Sequence, residues 1–383
     1  MIFIGMVVNA SNYMEAILIP AIIKDFGVEI DQAGIIATAY LIGFGVSTIF
    51  AGPLADRYGK IEIIIIAALL FAITIFLSSL TNEIKSLIFF RTLSGIFIAS
   101  IFPVSNALIS DIFPAKERQW ALGVFQSVSM IGQFLGIVVI GILIMFLSWP
   151  IGYIILALGA FASTLLLLPI KKNLVCSKNK DQRFIENYKN ILIVSRNRQT
   201  YLVILVQGGL ILGLLSYLGA YIKSVVGLDF YIAGLIISGF GITNFLFSNS
   251  ANKMAMKMGQ KKATVAGLAF GLIANALLLL LGEYLPVLVI APIFVGFTFI
   301  FSHCTLLSIA SEFSPKARSS SLSLVAGCFT AGGGIGVNIG GFVIKHFGYQ
   351  SLFLLYSLTF MILIFLVLRY LKLPYLDQIN SCD

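Results

Sequence analysis

Ser110-Asp111-Ile112-Phe113-Pro114-Ala115-Lys116-Glu117-Arg118 is answered late in the chain by Ser311-Glu312-Phe313-Ser314-Pro315-Lys316-Ala317-Arg318, once one residue is gapped. The same offset of 200 pairs Gly27 with Gly227, Ala33-Gly34 with Ala233-Gly234, and Gly59 with Gly259. It also pairs Gly132, Gly136 and Gly141 with Gly332, Gly336 and Gly341. Self-similarity at a fixed offset marks a duplicated architecture. The chain reads as two copies of one unit.

What the unit is follows from its solvent. Only 11% of the 383 residues are charged and 59% are hydrophobic, against about 25% charged in an ordinary soluble domain. So little charge cannot cover a water-facing surface, whereas lipid tolerates apolar side chains all round a helix. Runs long enough to span a bilayer, at about 20 residues each, fall at 2–23, 32–55, 62–80, 86–110, 120–147, 150–170, 199–224, 229–252, 262–281, 286–310, 318–344 and 349–371. The first run lacks a basic lead-in and a small-residue cleavage site, so it reads as a span and not a signal peptide.

The expected fold is all-α: twelve spans in two six-helix bundles, residues 1–170 and 199–383, joined by a linker at 171–198. Six spans separate the copies, so both run with the same topology. Parallel repeats of this kind leave a site near the midplane between them.

The net charge of +9 needs no nucleic acid to explain it. Lys and Arg crowd alternate connections, among them Arg57, Lys60, Lys116, Arg118, Lys171, Lys172, Lys261, Lys316 and Arg318. The opposite connections hold only Lys24, Lys85, Lys223 and Lys345. The bias places both termini and the linker in the cytoplasm of a multi-pass plasma-membrane protein. Within the linker, Phe184, Ile185, Tyr188, Ile191 and Leu192 recur at helical spacing. They predict a surface-lying amphipathic helix, either a regulatory arm or a plain tether. The four cysteines show no metal spacing, and neither metal nor cofactor is expected.

Between the second and third spans stands Gly52-Pro53-Leu54-Ala55-Asp56-Arg57-Tyr58-Gly59-Lys60. It resembles the GxLaDRxGrk signature of the major facilitator superfamily, as do the helix count, the linker and the duplication. The resemblance implies alternating-access transport. It also implies a conformational latch built from Gly52, Asp56, Arg57, Gly59, Lys60 and Arg118, in which Asp56 meets the start of the eleventh span near Arg318 to Ser321. The second copy has Met256 where Asp56 stands, so only the first half supplies that acid. Arg91 to Gly95 is similar to the RxxxG pattern of the fourth span. Gly132, Gly136 and Gly141 partly match the antiporter pattern GxxxGPxxGG, with Ile137 and Ile140 at two of its positions. The six glycines of the paired stripes serve equally as small residues for close helix packing.

Charge at membrane depth costs roughly 2.5–3.5 kcal/mol, so each such residue is a functional candidate. Glu15 is the one acid clearly inside a span; Asn9 and Asn12 share its polar stripe. Arg91 enters the fourth span from the same side at similar depth. The two form either a proton-driven switch or a static pair. His303 in the tenth span is a further candidate, as a proton relay or as a helix-to-helix hydrogen bond. Asn12, Asn106, Gln126, Gln207, Tyr217 and Tyr221, with Asn9, make the expected substrate lining. The pattern looks like the drug/proton antiporter branch of the superfamily. The expected function is proton-coupled export of a small organic compound by a monomer, the partners being the substrate, protons and the lipid bilayer. An uptake carrier or uniporter for a metabolite is the alternative. A sensor or membrane enzyme is remote, for the chain shows no nucleophile–base set and no phosphate loop.

Overall fold

A computed structural model describes residues 1–171, 184–313 and 318–370; some side chains inside helices, those of Arg118 and Gln126 among them, lie outside the description. With no water at depth, each spanning backbone must satisfy its own N–H and C=O groups, and helices do so. The order is α1 (Ile2–Tyr13), α2 (Glu15–Phe26), α3 (Ile30–Tyr58), α4 (Lys60–Ser79), α5 (Ile84–Ile98), α6 (Ile101–Ile112), α7 (Ala115–Phe146) and α8 (Pro150–Lys171). There follow α9 (Phe184–Ile193), α10 (Ser195–Tyr221), α11 (Phe230–Met258), α12 (Gln260–Leu281), α13 (Leu285–Thr298), α14 (Cys304–Ser311) and α15 (Arg318–Tyr370). Large apolar side chains such as Phe50, Leu158 and Leu280 face outward, as lipid allows.

Among the described residues, these helices make twelve spans. The pairs α1–α2, α5–α6 and α13–α14 each form one, and α15 is two because Gly348 (φ 80°) turns the chain back within it. The duplication persists in the backbone. Gly27 and Gly227 close their spans in the left-handed region (φ 62° and 78°), and Gly59 and Gly259 make the same short turns (φ 111° and 82°). Glycine adopts these angles without a Cβ clash.

The first span departs from the continuous helix expected over 2–23. It breaks at Met14, and its parts meet at 50°. The break itself contains neither glycine nor proline. Tertiary bonds hold it from both sides: Tyr40 donates to Asn12 Oδ1 at 2.6 Å, and Glu15 pairs with Arg91. Downstream, Pro20 has no N–H to offer the carbonyl of Ala16, four residues back. The fourth span breaks between Ile98 and Ile101, where Pro103 leaves the Ala99 carbonyl without its helical donor. At the equivalent place in the second copy, Phe299–His303 form a π-helical turn.

Among the described residues, the halves meet closely at the Gly27 end. There Lys345 bridges Glu29 at 2.5 Å and Asp31 at 3.0 Å. Gly219 of α10 abuts the freed Ala16 carbonyl, and Gly141 of α7 faces Phe230 and Gly234 of α11. Nearer mid-depth, Gly45 of α3 lies against Gly327 and Ala331 of α15. The glycine stripes explain the closeness. Gly132 and Gly136 pack on Met6 and Ala10, while Gly332 and Gly336 pack on Leu205 and Gly209. The third glycine of each stripe reaches the other half: Gly141 lies against Phe230, and Gly341 against Asp31 as well as Tyr217 of its own half. In the linker, α9 is tied to α3 by Tyr188, whose hydroxyl donates to the Ile49 carbonyl at 2.7 Å. Ile191 is buried, and Leu192, Ile193 and Val194 are exposed. Phe184 and Ile185 are helical, but their side chains lie outside the described ones.

Candidate functional site

The break at Met14 opens a polar point in an apolar span, and the site begins there. Glu15 starts α2 and is 3% exposed; Arg91, on α5, is fully buried. The Arg91 guanidinium pairs with Glu15 Oε1 and donates to Ser94 Oγ at 3.3 Å. It lies 4.1 Å from the ring centre of Tyr40 and 5.3 Å from that of Tyr153. Ring quadrupoles attract a cation, more so when it is desolvated, so Arg91 is held on three sides while Glu15 sits on the helix that bends. Beside the pair is a narrow cleft, with room for about one water molecule, lined from both halves: Asn12, Tyr13, Glu15 and Tyr40 from the first, Leu215 and Ser216 from the second.

The other expected lining residues divide. Asn12 borders the cleft and accepts the Tyr40 hydrogen bond. Asn9 donates to its own helix at the Gly5 carbonyl, 3.2 Å away. Asn106 Oδ1 and both amide atoms of Gln207 are buried without a protein partner. The Gln126 side chain lies outside the described ones. Tyr217 and Tyr221 do not line the cleft. Tyr217 donates to the Val337 carbonyl at 2.9 Å and wedges between Gly34 and Gly341. Tyr221 packs edge-on against Tyr349 and Phe353. Both sit on α10, which is buried nearly all round, so their polarity alone did not reveal which neighbour they face.

His303 is not brought to the Glu15–Arg91 pair. Its ring stacks on Phe299 at 4.7 Å and contacts Phe329 at 4.2 Å, and its Nδ1 has no partner. At the Gly59 end, Lys60 pairs with Asp111, a partner the signature does not contain. Asp56 is half-buried beside them, and the Arg57 guanidinium lies 5.4 Å from the Tyr58 ring. Residues 314–317 and the Arg318 side chain, toward which a latch would reach, lie outside the described residues, as does the Arg118 side chain.

Sequence reasoning missed Tyr40 and Tyr153, the aromatic faces on Arg91. Each is one more aromatic in an aromatic-rich chain, and nothing in its spacing singles it out. It also missed Gln133 and Asn244, buried amides with unpartnered atoms; a polar residue inside an apolar run was the available signal.

A family model described as Major Facilitator Superfamily matches residues 1–322, and a second match covers 232–381. The chain belongs to this superfamily. It is therefore a multi-pass membrane transporter and not an enzyme. Among solved structures, the nucleoside transporter NupG superposes with a TM-score of 0.82 over 97% of this chain and 98% of that one, at 14% identity; so distant a likeness speaks for the fold. Among curated superfamily relatives, the riboflavin transporter RibZ of Clostridioides difficile (strain 630) is 28% identical over 177 residues, 46% of this chain and 37% of that protein. The chloramphenicol resistance protein CraA of Acinetobacter baumannii is 32% identical over 143 residues, 37% of this chain and 35% of that protein. The matched stretches thus span little more than a third of these two relatives' length.

Proposed function

We propose that this transporter exports small organic compounds against their gradient by letting protons in, with Glu15 and Arg91 as the coupling pair. The observation that carries the reading is a carboxylate buried at the bend of the first span, paired to a caged arginine and bordering a cleft shared by both halves. A buried pair is a weak stabiliser, because desolvation offsets its attraction. What such a pair does well is change state. When Glu15 takes a proton, its hold on Arg91 weakens, Arg91 stays on its two rings, and the bent span is released to move. The halves sealed at the Gly27 end then rock apart there, and the cycle alternates.

In this reading the termini and linker are cytoplasmic, the Gly27 end is external, and the monomer is the working unit. The similarity to a drug-resistance protein supports export. The similarity to a riboflavin transporter keeps metabolite uptake as the second reading.

Inside-out vesicles with an imposed pH gradient, offered a panel of cationic and neutral compounds, test the proposal. The wild type concentrates its substrate when the lumen is acid. Glu15→Gln keeps the shape of the side chain but carries no titratable proton. It should lose uphill transport and retain downhill exchange of a neutral substrate. Uphill transport by Glu15→Gln at the wild-type rate would remove Glu15 from the coupling.

A further inference from the structure

On the lipid-facing side of the second half, the start of α10 and the end of α15 leave a groove with about 330 Å³ of open space. Val203, Leu363 and Val367, all buried, form its floor, and the exposed Leu202 and Leu366 form its rims. Gln199, half-buried, stands at one end. The lining residues of α10 run from 199 to 206, so the groove is ~10 Å long at 1.5 Å per residue. Its walls are apolar and its surroundings are hydrocarbon.

The Gln199 end is where charge begins. One apolar span starts at Asn197 and the other stops at Arg369, so both helices reach the membrane surface there. Arg198 is one helical turn from Leu202, and Arg369 one turn from Leu366, which sets each arginine on the helix face that carries a rim. Both arginines are exposed, and the first turn of α10 holds no acid. Just before that turn, Leu192, Ile193 and Val194 are exposed in succession. Such a run belongs in the headgroup boundary and not in water. The groove is therefore a hydrocarbon slot that ends beside two cations at the level of lipid phosphates.

A lipid tail gains little by leaving its neighbours for the slot, because lipid and apolar side chains are alike as solvents. The headgroup decides. Arginine forks match phosphate oxygens and hold two at once. Each basic residue near the surface favours an anionic lipid by about fivefold, the factor for about 1 kcal/mol. A zwitterionic headgroup brings its own ammonium toward the same two cations and forfeits that gain. We infer that this groove is a site for one anionic phospholipid of the leaflet on the linker side, with an acyl chain along Val203 and Val367 and its phosphate on Arg198 and Arg369. It is a lipid site apart from the coupling pair, and it holds for export and uptake alike.

Native mass spectrometry of the purified full chain in detergent tests it. The probes are dioleoylphosphatidylglycerol and dioleoylphosphatidylcholine, identical in their chains, and sn-glycerol 1-phosphate, a headgroup without chains. One phosphatidylglycerol should be retained about 10–30-fold more tightly than phosphatidylcholine. Arg198→Gln and Arg369→Gln should each lower that preference about fivefold. Val206→Phe adds bulk to the groove and should weaken retention about fivefold or more with both arginines in place. Lys262→Gln removes an exposed base from the same membrane surface at the start of α12 and should leave retention within about twofold. Gel filtration identifies a variant that has not folded; should Val206→Phe be one, Gln199→Trp blocks the groove at its mouth instead. Equal retention of the two lipids, a loss with Lys262→Gln as large as with Arg198→Gln, displacement of the lipid by millimolar sn-glycerol 1-phosphate, or indifference to the groove-filling variant would each overturn the inference.

Discussion

The contact between Gly219 and Ala16 sets up the most demanding prediction. Pro20 leaves the Ala16 carbonyl without a helical donor, and α10 fills the space by presenting a glycine. A Cβ built on Gly219 would lie 1.9 Å from that oxygen, more than an ångström inside the closest contact real Cβ atoms make. The atom it meets is backbone, so no side-chain rotation relieves the clash. The first-half helix and the second-half helix must separate. Overpacking of this kind costs about 1–3 kcal/mol, and the cost falls only on the state closed at the Gly27 end. At about 1.4 kcal/mol per factor of ten, Gly219→Ala should shift the balance away from closure by about 5–150-fold. The assay is a single cysteine at Ser216, which lines the cleft and is buried, in a background without the four native cysteines. Labelling by an impermeant maleimide from the Gly27 side should rise within that range, and turnover should fall. Unchanged labelling together with normal turnover would mean that closure at this contact is no part of the cycle, and the reasoning from the freed carbonyl would fail.

Arg91→Ala leaves Glu15 buried and unpaired, a loss of about 3–5 kcal/mol; thermal unfolding in detergent should show a clear drop, largely restored when Glu15→Gln is combined with it. Asp56→Asn should cut turnover by about tenfold, the worth of a charge-assisted bond, while membrane content by immunoblot stays normal; a normal rate would remove the aspartate from the latch. Reporter fusions after Lys180 and after Asp229 should read cytoplasmic and external, and the reverse readout would invert the topology.

Most of the fold could be read from the repeat. Gly27 with Gly227 and Gly59 with Gly259 mark span ends because left-handed backbone needs glycine, and the angles agree. The meeting of Glu15 with Arg91 followed from their similar depth together with the superfamily resemblance, which implies that the first and fourth spans line one cavity. The bend at Met14 was not legible. Asn12, Tyr13 and Met14 carry no helix breaker, and the bend is held by Tyr40 and Arg91, which lie far away in sequence. Nor was the placement of Tyr217. A helix buried on nearly every side gives no periodicity from which to choose a face, and the glycines at 34, 340 and 341, on two other helices, make room for that ring.

The interruptions in the two fourth spans have a mechanical consequence. Ile84–Ile112 is 29 residues long and Leu285–Ser311 is 27, and each is interrupted at about its middle, at Ala99–Ser100 and at Phe299–His303. A rod jointed at its centre behaves as a lever. With arms of ~20 Å at 1.5 Å per residue, a change of ~10° at the joint carries each tip through ~3–4 Å. The fulcrum itself scarcely travels. His303 sits on that fulcrum, so whatever rests against its ring stays gripped while the ends of the rod sweep open and shut on either side.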